Sequence, residues 1–226
     1  MEIKMKKELF EDLEYLISFP ADYRKGSKYP VVLFLHGAGT RGNDISVLER
    51  NAFMAVGGRY PELSFITVAP HCKTGTWFDR FETLKRFVLM LTCSDYADPE
   101  RIYLVGNSMG GYGTWQLGMS MPECFAAIIP ICGGGMYWNA HTLVYVPVWA
   151  FHGDRDSVVS CEESKKMVDA INGMGGNARL TVYPNTDHDS WTATYNNREV
   201  FEWLLSQRNQ NAKALVDSYS SNQDFG

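Results

Sequence analysis

The chain has 226 residues, of which 45% are hydrophobic and 21% are charged, and its 26 acidic and 21 basic side chains give a formal net charge of −5. This length and apolar content predict one globular domain and exclude disorder as the main state. The mild acidity, without a Lys/Arg-rich block, excludes nucleic acids and anionic membrane surfaces as expected partners, because both require a concentrated basic face.

The N-terminal residues, MEIKMKKE, lack the long apolar core of a secretory signal. No apolar run approaches the roughly 18 residues that a membrane span requires. We therefore expect a cytoplasmic protein without membrane insertion, or a secreted one only if a signal peptide has been removed. The scattered cysteines include no Cys-x-x-Cys pair, which predicts buried free thiols and neither disulfides nor a zinc site. They are Cys72, Cys93, Cys124, Cys132 and Cys161.

Short apolar runs alternate with longer amphipathic segments, which is typical of a mostly parallel sheet with helices on both faces. The predicted strands are 14–19, 29–35, 64–69, 101–105, 126–131, 146–151 and 180–183. The predicted helices are 78–92, 108–119, 161–172 and 191–207. We assign residues 1–208 to one α/β domain with no sizeable lid, and residues 209–226 to a flexible polar tail.

Two histidines come early in the chain, each after a predicted strand. His36 follows Leu35 directly and precedes Gly37-Ala38-Gly39, a position that favours a structural histidine. The two glycines allow the chain to turn tightly around Ala38. His71 follows the strand at 64–69, and we expect it to approach the same end of the sheet.

The strongest motif is the pentapeptide from Gly106 to Gly110, which follows the strand at 101–105 and precedes a helical run. Its G-x-S-x-G spacing predicts a nucleophile elbow, because a sharp strand-to-helix turn leaves no room for a Cβ at either glycine. Ser108 would then lie exposed at a helix N-terminus, where free N–H groups stabilise developing negative charge. The alternative interpretation is an ordinary glycine-rich turn.

A serine hydroxyl needs a base and a group that orients the base. His188 lies in a polar loop between the last predicted strand and helix, where this architecture places its base; a solvated loop histidine beside a helix cap is the alternative. Asp156 follows the strand at 146–151 in the pattern H-G-x-x-D-x-x-V. We choose Asp156 over Asp154, which is expected to organise the turn or to pair with Arg155. The order Ser108, Asp156, His188 differs from that of the chymotrypsin and subtilisin folds.

Two backbone N–H groups are expected to stabilise the oxyanion. One belongs to Met109, directly after the nucleophile, and the other to Ala38, with Gly39 as the fallback. A metal site at residues 187–189 is the competing interpretation of the histidine loop, but adjacent loop residues rarely converge on one ion. We expect no metal and no cofactor.

In their order and spacing these motifs resemble the α/β-hydrolase superfamily, and within it the small single-domain esterases of the phospholipase/carboxylesterase, dienelactone-hydrolase-like and predicted-peptidase groups. The resemblance covers most of the chain, from residue 29 to residue 191. It implies the α/β-hydrolase fold and a Ser108, His188 and Asp156 triad that hydrolyses a small-molecule carboxylic ester. Dienelactone hydrolases proper carry cysteine where this chain has Ser108, which argues against their lactone specificity.

Aromatic residues lie in the loops that such a fold gathers around its site, and an aromatic cleft suits an aryl, feruloyl-like or sugar ester, or a short-chain ester. They are Trp77, Phe78, Tyr112, Tyr137 and Trp138. We take Trp77, Trp138 and His71 as candidate substrate-binding residues. Tyr112 and Trp115 are expected to pack in the interior because they lie on the elbow helix.

Two other functions are compatible with the sequence. One is a peptidase similar to the catalytic domain of prolyl oligopeptidases, which share the elbow and the triad order but usually carry a gating domain. The other is a non-catalytic ligand-binding homologue, which an intact set of serine, histidine and aspartate argues against. Nothing in the sequence indicates an oligomeric state.

Overall fold

The computed structural model describes residues 4–212 and, beyond them, residues 214, 216 and 217. This part of the chain forms eight β-strands and six α-helices, with short 3₁₀ turns between them. The strands are β1 (Lys4–Phe10), β2 (Leu13–Phe19), β3 (Tyr29–Leu35), β4 (Ile66–Pro70), β5 (Ala97–Asn107), β6 (Ala127–Ile131), β7 (Val148–Gly153) and β8 (Ala178–Tyr183). The helices are α1 (Val56–Arg59), α2 (Phe81–Thr92), α3 (Met109–Ser120), α4 (Cys161–Gly173), α5 (Trp191–Tyr195) and α6 (Arg198–Ser206).

The strands form a single sheet in the order β1-β2-β4-β3-β5-β6-β7-β8. Strand β2 pairs antiparallel with β1 and β4, and all other neighbours are parallel. Parallel neighbours need crossover connections, and here helices supply them. The order confirms the predicted mostly parallel sheet.

The central strands are buried on both faces. Every residue of β3 is buried, and its side chains alternate between two cores. Val31, Leu33 and Leu35 pack into the core on one face of the sheet. Val32 and Phe34 pack into the core on the other. Since consecutive side chains of a strand point to opposite faces, an uninterrupted apolar run is what helices on both faces require.

Strands β3, β5, β6, β7 and β8 all run in the same direction, so their carboxyl ends meet at one edge of the sheet. The loops after β3, β5, β7 and β8 carry Gly37, Ser108, Asp156 and His188, respectively. The topology therefore gathers the predicted catalytic residues from distant parts of the chain. Open α/β sheets place their ligand sites at this edge.

The structure differs from the predicted elements at one strand and one helix. Strand β1 is not among the predicted strands because its sequence, KMKKELF, is largely charged; within the described residues it is an exposed edge strand that pairs with β2. Charged side chains are common on edge strands because they discourage pairing with other chains. The single helix predicted over 191–207 is instead two helices. Asn197 separates them, and its side chain accepts a hydrogen bond from the Glu199 N–H at 3.0 Å and so caps α6.

The structure describes the beginning of the segment predicted as a tail, residues 209–226. The Asn209 N–H donates to the Glu100 carbonyl at 2.9 Å, and Ala212 is fully buried, so residues 209–212 pack on the domain. Most of the remaining predicted tail lies outside the described residues. None of the described helices has the length and hydropathy needed to cross a membrane. All five cysteines are free, and four are buried as predicted, but Cys93 is exposed.

Candidate active site

Ser108 occupies the turn between β5 and α3 with φ 55° and ψ −117°. A positive φ is unusual for a residue with a Cβ and is typical of a nucleophile elbow. Backbone hydrogen bonds hold the turn in place: the Ser108 N–H donates to the Ile131 carbonyl at 2.9 Å, and the Tyr112 N–H donates to the Ser108 carbonyl at 3.0 Å. In this conformation Ser108 Oγ lies 2.8 Å from His188 Nε2.

The flanking glycines are required by close backbone contacts. A Cβ on Gly106 would lie 2.3 Å from the Gly110 carbonyl oxygen, and a Cβ on Gly110 would lie 1.8 Å from the Leu35 carbonyl oxygen. Neither oxygen can move without disturbing the elbow or strand β3. The two glycines of the motif are thus explained by the geometry of the turn.

The three predicted catalytic side chains form one chain of hydrogen bonds. His188 Nε2 lies 2.8 Å from Ser108 Oγ, and His188 Nδ1 lies 2.8 Å from Asp156 Oδ2. A carboxylate only accepts, so the His188 proton sits on Nδ1 and Nε2 is free to accept from the serine hydroxyl. The Asp156 side chain is fully buried, whereas 19% of the His188 side chain is exposed. This arrangement can draw a proton from Ser108.

The buried carboxylate of Asp156 has a donor for each oxygen. Oδ1 accepts from the N–H groups of Val158 and Val159 at 2.9 and 2.8 Å. Besides His188, Oδ2 has a second neighbour, His152 Nε2, at 3.2 Å. Burial lowers the pKa of His152, which favours its neutral form. His152 Nε2 also faces the Val159 carbonyl at 2.9 Å, and because both of its neighbours are acceptors this nitrogen carries the proton.

Two further aspartates join the loops that carry the acid and the base. Asp187 Oδ1 accepts from the Ser157 N–H at 2.8 Å, and this hydrogen bond lowers the pKa of the Asp187 carboxyl. Asp154 Oδ1 accepts from the Thr186 N–H at 3.1 Å, so it bonds to the loop of His188 rather than within its own turn. The separation of Asp156 from His188 is therefore fixed by contacts between their loops.

The groups expected to stabilise an oxyanion lie beside Ser108. Met109 is the first residue of α3, where backbone N–H groups have no partner within the helix. Ala38 begins a 3₁₀ turn whose own hydrogen bonds start at the Thr40 N–H. A Cβ on Gly37 would lie 3.5 Å from the Ser108 Cβ, so the loop after β3 runs against the nucleophile. Both Ala38 and Gly39 remain candidates for the second donor.

Two of the predicted substrate-binding residues are in the interior. Trp77 is 1% exposed, and its Nε1–H donates to the His36 carbonyl at 2.9 Å. His71 is 2% exposed, and its Nε2 lies 3.2 Å from the Thr40 carbonyl. The prediction that they line the cleft is wrong, because both side chains turn inward and support the loop after β3.

His36 is structural, as predicted. Its Nδ1 donates to the Gly37 carbonyl at 2.8 Å, and its Nε2 accepts from the Cys72 N–H at 3.0 Å. The ring is completely buried, and burial lowers the pKa of His36 to about 4. The neutral ring therefore fixes the start of the loop after β3.

A cleft of about 500 Å³ begins one helical turn from the nucleophile. The Tyr112 N–H donates to the Ser108 carbonyl, so Tyr112 lies one turn beyond the nucleophile, and Gln116 follows on the same face of the elbow helix. The lining residues are Phe78, Tyr112, Gln116, Gly134, Gly135, Met136 and Glu163. Tyr112 was expected to be interior packing but is half-buried and forms a wall of this cleft.

Trp138 lies outside this cleft. It is 67% exposed and packs edge-to-face on Tyr137, with ring centroids 5.3 Å apart. It follows the lining residue Met136 by two positions, but its own side chain is not part of the wall. Of the aromatic residues singled out from the sequence, Phe78 and Tyr112 form the cleft.

Sequence reasoning missed several residues of the site. Asp187 contacts the loop of Asp156 through Ser157, 30 positions earlier in the chain, and Trp191 packs edge-to-face on His188 with ring centroids 5.4 Å apart. The thiol sulfur of Cys132 lies within 4.8 Å of a carboxylate oxygen of Asp156 and a ring nitrogen of His188. Burial raises the pKa of Cys132 to about 12, so this wall of the site is an uncharged thiol.

Comparison with known proteins adds to this geometry. A sequence profile of the dienelactone hydrolase family matches residues 75–225, which is more than half of the chain. A solved structure described as a thermostable esterase is 33% identical with a TM-score of 0.82, and the match covers 91% of this chain and 63% of that chain. This likeness confirms the predicted α/β-hydrolase fold.

Two curated relatives are more distant. Acyl-protein thioesterase 1 from Gibberella zeae is 26% identical over 111 residues, which is 46% of this chain and 47% of the relative. Dipeptidyl-peptidase 5 from Porphyromonas gingivalis is 24% identical over 247 residues, which is 83% of this chain and 35% of the relative. The chain therefore spans less than two thirds of the length of the thermostable esterase and of each of these two relatives.

Proposed function

The chain belongs to the dienelactone hydrolase family, and from this premise we propose that it hydrolyses small-molecule carboxylic esters through an acyl-enzyme on Ser108. The observation that carries the proposal is the chain of two 2.8 Å hydrogen bonds from Ser108 through His188 to Asp156. The similarity to a solved esterase, at 33% identity, supports the same activity.

The mechanism follows from the positions of the protons. Ser108 Oγ attacks the ester carbonyl carbon while its proton passes to His188 Nε2, and Asp156 stabilises the imidazolium that forms. The N–H groups of Met109 and Ala38 bind the oxyanion. Collapse of the tetrahedral intermediate releases the alcohol, which takes the proton from His188. Water, activated by the same histidine, then hydrolyses the acyl-enzyme, and no step needs a cofactor.

The substrate class follows from the cleft beside the nucleophile. Phe78 and Tyr112 offer aromatic surface to one part of the ester, which suits a short-chain, aryl or sugar ester. The cleft is open on one side, so long acyl chains would stay largely in water. Five free thiols support a reducing, cytoplasmic location.

A peptidase is the second candidate because the relative from Porphyromonas gingivalis is a dipeptidyl-peptidase that matches 83% of this chain. The same triad geometry can cleave amides. Hydrolysis of a proline-containing peptide p-nitroanilide without turnover of any ester would favour this candidate.

A panel of p-nitrophenyl esters from acetyl to decanoyl, together with a feruloyl ester, tests the proposal. The wild type should hydrolyse the short or aryl members, and Ser108→Ala should lose this activity while its thermal unfolding stays close to that of the wild type. Ester turnover that persists in the variant would overturn the role of Ser108. A wild type that cleaves no ester would overturn the esterase assignment.

A further inference from the structure

The cleft beside Ser108 contains one charged side chain. Its walls are the rings of Phe78 and Tyr112 and the side chain of Met136, with Gln116 as a neutral polar neighbour. Glu163, in the first turn of α4, supplies the charge. No lysine or arginine is among the lining residues, so Glu163 is the charged group that a molecule bound in the cleft meets.

The two oxygens of Glu163 have different surroundings. Oε1 lies 3.2 Å from Lys166 Nζ, in a pair that is open to solvent. Oε2 faces the cleft at Gly134: a Cβ on this glycine would lie 3.0 Å from Glu163 Oε2 and 3.2 Å from Tyr112 Cε1. The carboxylate and the tyrosine ring therefore flank the same point of the wall. Burial raises the pKa of Tyr112, and the negative charge of Glu163 adds to this rise.

We propose that Glu163 makes the cleft select against esters whose cleft-bound group carries a carboxylate, and in favour of uncharged groups or groups with hydroxyl donors. This inference rests on the esterase function proposed above. A carboxylate on the substrate would lie close to Oε2, and Lys166, which pairs with Oε1 outside the cleft walls, offsets the repulsion only in part. A hydroxyl group would instead find in Oε2 an acceptor with no protein donor among the hydrogen bonds of the described residues.

The neighbouring residue provides a matched control. Glu162 forms the same kind of pair with the residue three positions on, with its Oε1 2.6 Å from Lys165 Nζ. Its side chain is 60% exposed and is not part of the cleft wall. Glu162→Gln and Glu163→Gln therefore remove the same charge from the same helix turn, and only the second change alters the cleft.

The test measures kcat/KM for two pairs of esters, each with a charged and an uncharged member of similar size. In the first pair the acyl group differs: mono-p-nitrophenyl glutarate against p-nitrophenyl pentanoate. In the second pair the alcohol differs: 4-carboxyphenyl butyrate against 4-carbamoylphenyl butyrate. Testing both pairs covers both orientations of the ester in the cleft.

We expect the ratio of charged to uncharged kcat/KM to rise about tenfold in Glu163→Gln for at least one pair, as removal of a nearby, partly screened like charge predicts. In Glu162→Gln the same ratio should change less than about twofold. An unchanged ratio for both pairs in Glu163→Gln, or equal rises in the two variants, would overturn the inference while leaving the esterase function intact. A wild type that cleaves neither uncharged ester, or activity that survives in Ser108→Ala, would overturn the function and the inference together.

Discussion

The catalytic half and the binding half of this site are built in different ways. In the catalytic half, Ser108, His188 and Asp156 are joined by hydrogen bonds of 2.8 Å, and each oxygen of Asp156 has a donor. In the binding half, the cleft is half-exposed, and Phe78 has 50% of its side chain in solvent. The chemistry is therefore fixed by geometry, while the walls of the cleft can vary without disturbing it.

The largest effect is expected from a substitution that removes the charge of the buried Asp156 carboxylate. Asp156→Asn should lower kcat by roughly 10³–10⁴-fold, because an amide no longer holds the His188 proton on Nδ1 or stabilises the imidazolium. Steady-state kinetics on a short p-nitrophenyl ester measure the loss. Asp154→Asn is the control and should retain most of the activity, because its amide oxygen can still accept from the Thr186 N–H and keep the two loops joined. Equal losses in the two variants would refute the choice of Asp156.

The elbow glycines test how tightly the catalytic half is packed. Gly110→Ala should lower the free energy of unfolding by about 3 kcal/mol or more, since its Cβ would clash with the Leu35 carbonyl oxygen. Gly57→Ala is the matched helical control, because no atom lies within 4 Å of its Cβ position. That change should be neutral or stabilising by about 0.5 kcal/mol. Urea unfolding of both variants decides, and similar stabilities would contradict the packing argument.

The free energy of unfolding should depend on pH through His36, which supports the loop after β3. Its pKa falls from 6.5 in the unfolded chain to about 4 in the fold, and one pKa unit corresponds to about 1.4 kcal/mol, so protonation destabilises the fold by about 3 kcal/mol. Because the pKa is lowered, this stability is present above pH 6.5 and is lost as the pH falls to about 4.

Urea unfolding between pH 7 and pH 4 measures this loss. His36→Gln should be less stable at pH 7 but should show a smaller decline at acid pH. His71 and His152, whose pKa values burial also lowers, continue to titrate in the variant. An identical decline in the two proteins would show that His36 does not carry the effect.

The smallest effect is expected in the cleft. Phe78→Ala should raise KM for an aryl ester by about three- to tenfold with little change in kcat, as the loss of part of an apolar contact predicts. Trp138→Ala is the control, because that ring is exposed and lies outside the wall. Equal increases in KM would show that the substrate binds across Trp138 as well.

The positions of the proposed catalytic residues could be predicted from the sequence because these residues are constrained locally. Gly106 and Gly110 are required by the turn itself, and Asp156 and His188 each follow a strand whose carboxyl end must reach the same sheet edge. Strand β1 was missed because charge on an edge strand masks the apolar pattern on which strand prediction depends.

The binding half could not be predicted in the same way. A position after a strand shows which end of the sheet a residue reaches, but it does not show which way the side chain turns. Trp77 turns inward to donate to the His36 carbonyl, whereas the adjacent Phe78 faces the cleft. Asp187 was missed because its role depends on a contact with Ser157, 30 positions away, that local sequence does not encode.

The central claim is that Ser108 is the nucleophile activated by His188. Its most direct test is labelling with a fluorophosphonate, which phosphonylates activated serines, followed by peptide mass spectrometry. We predict a single adduct on the peptide that contains Ser108, greatly slowed labelling in His188→Ala, and no adduct in Ser108→Ala. An adduct on another serine, or labelling of Ser108 at the same rate without His188, would contradict the account.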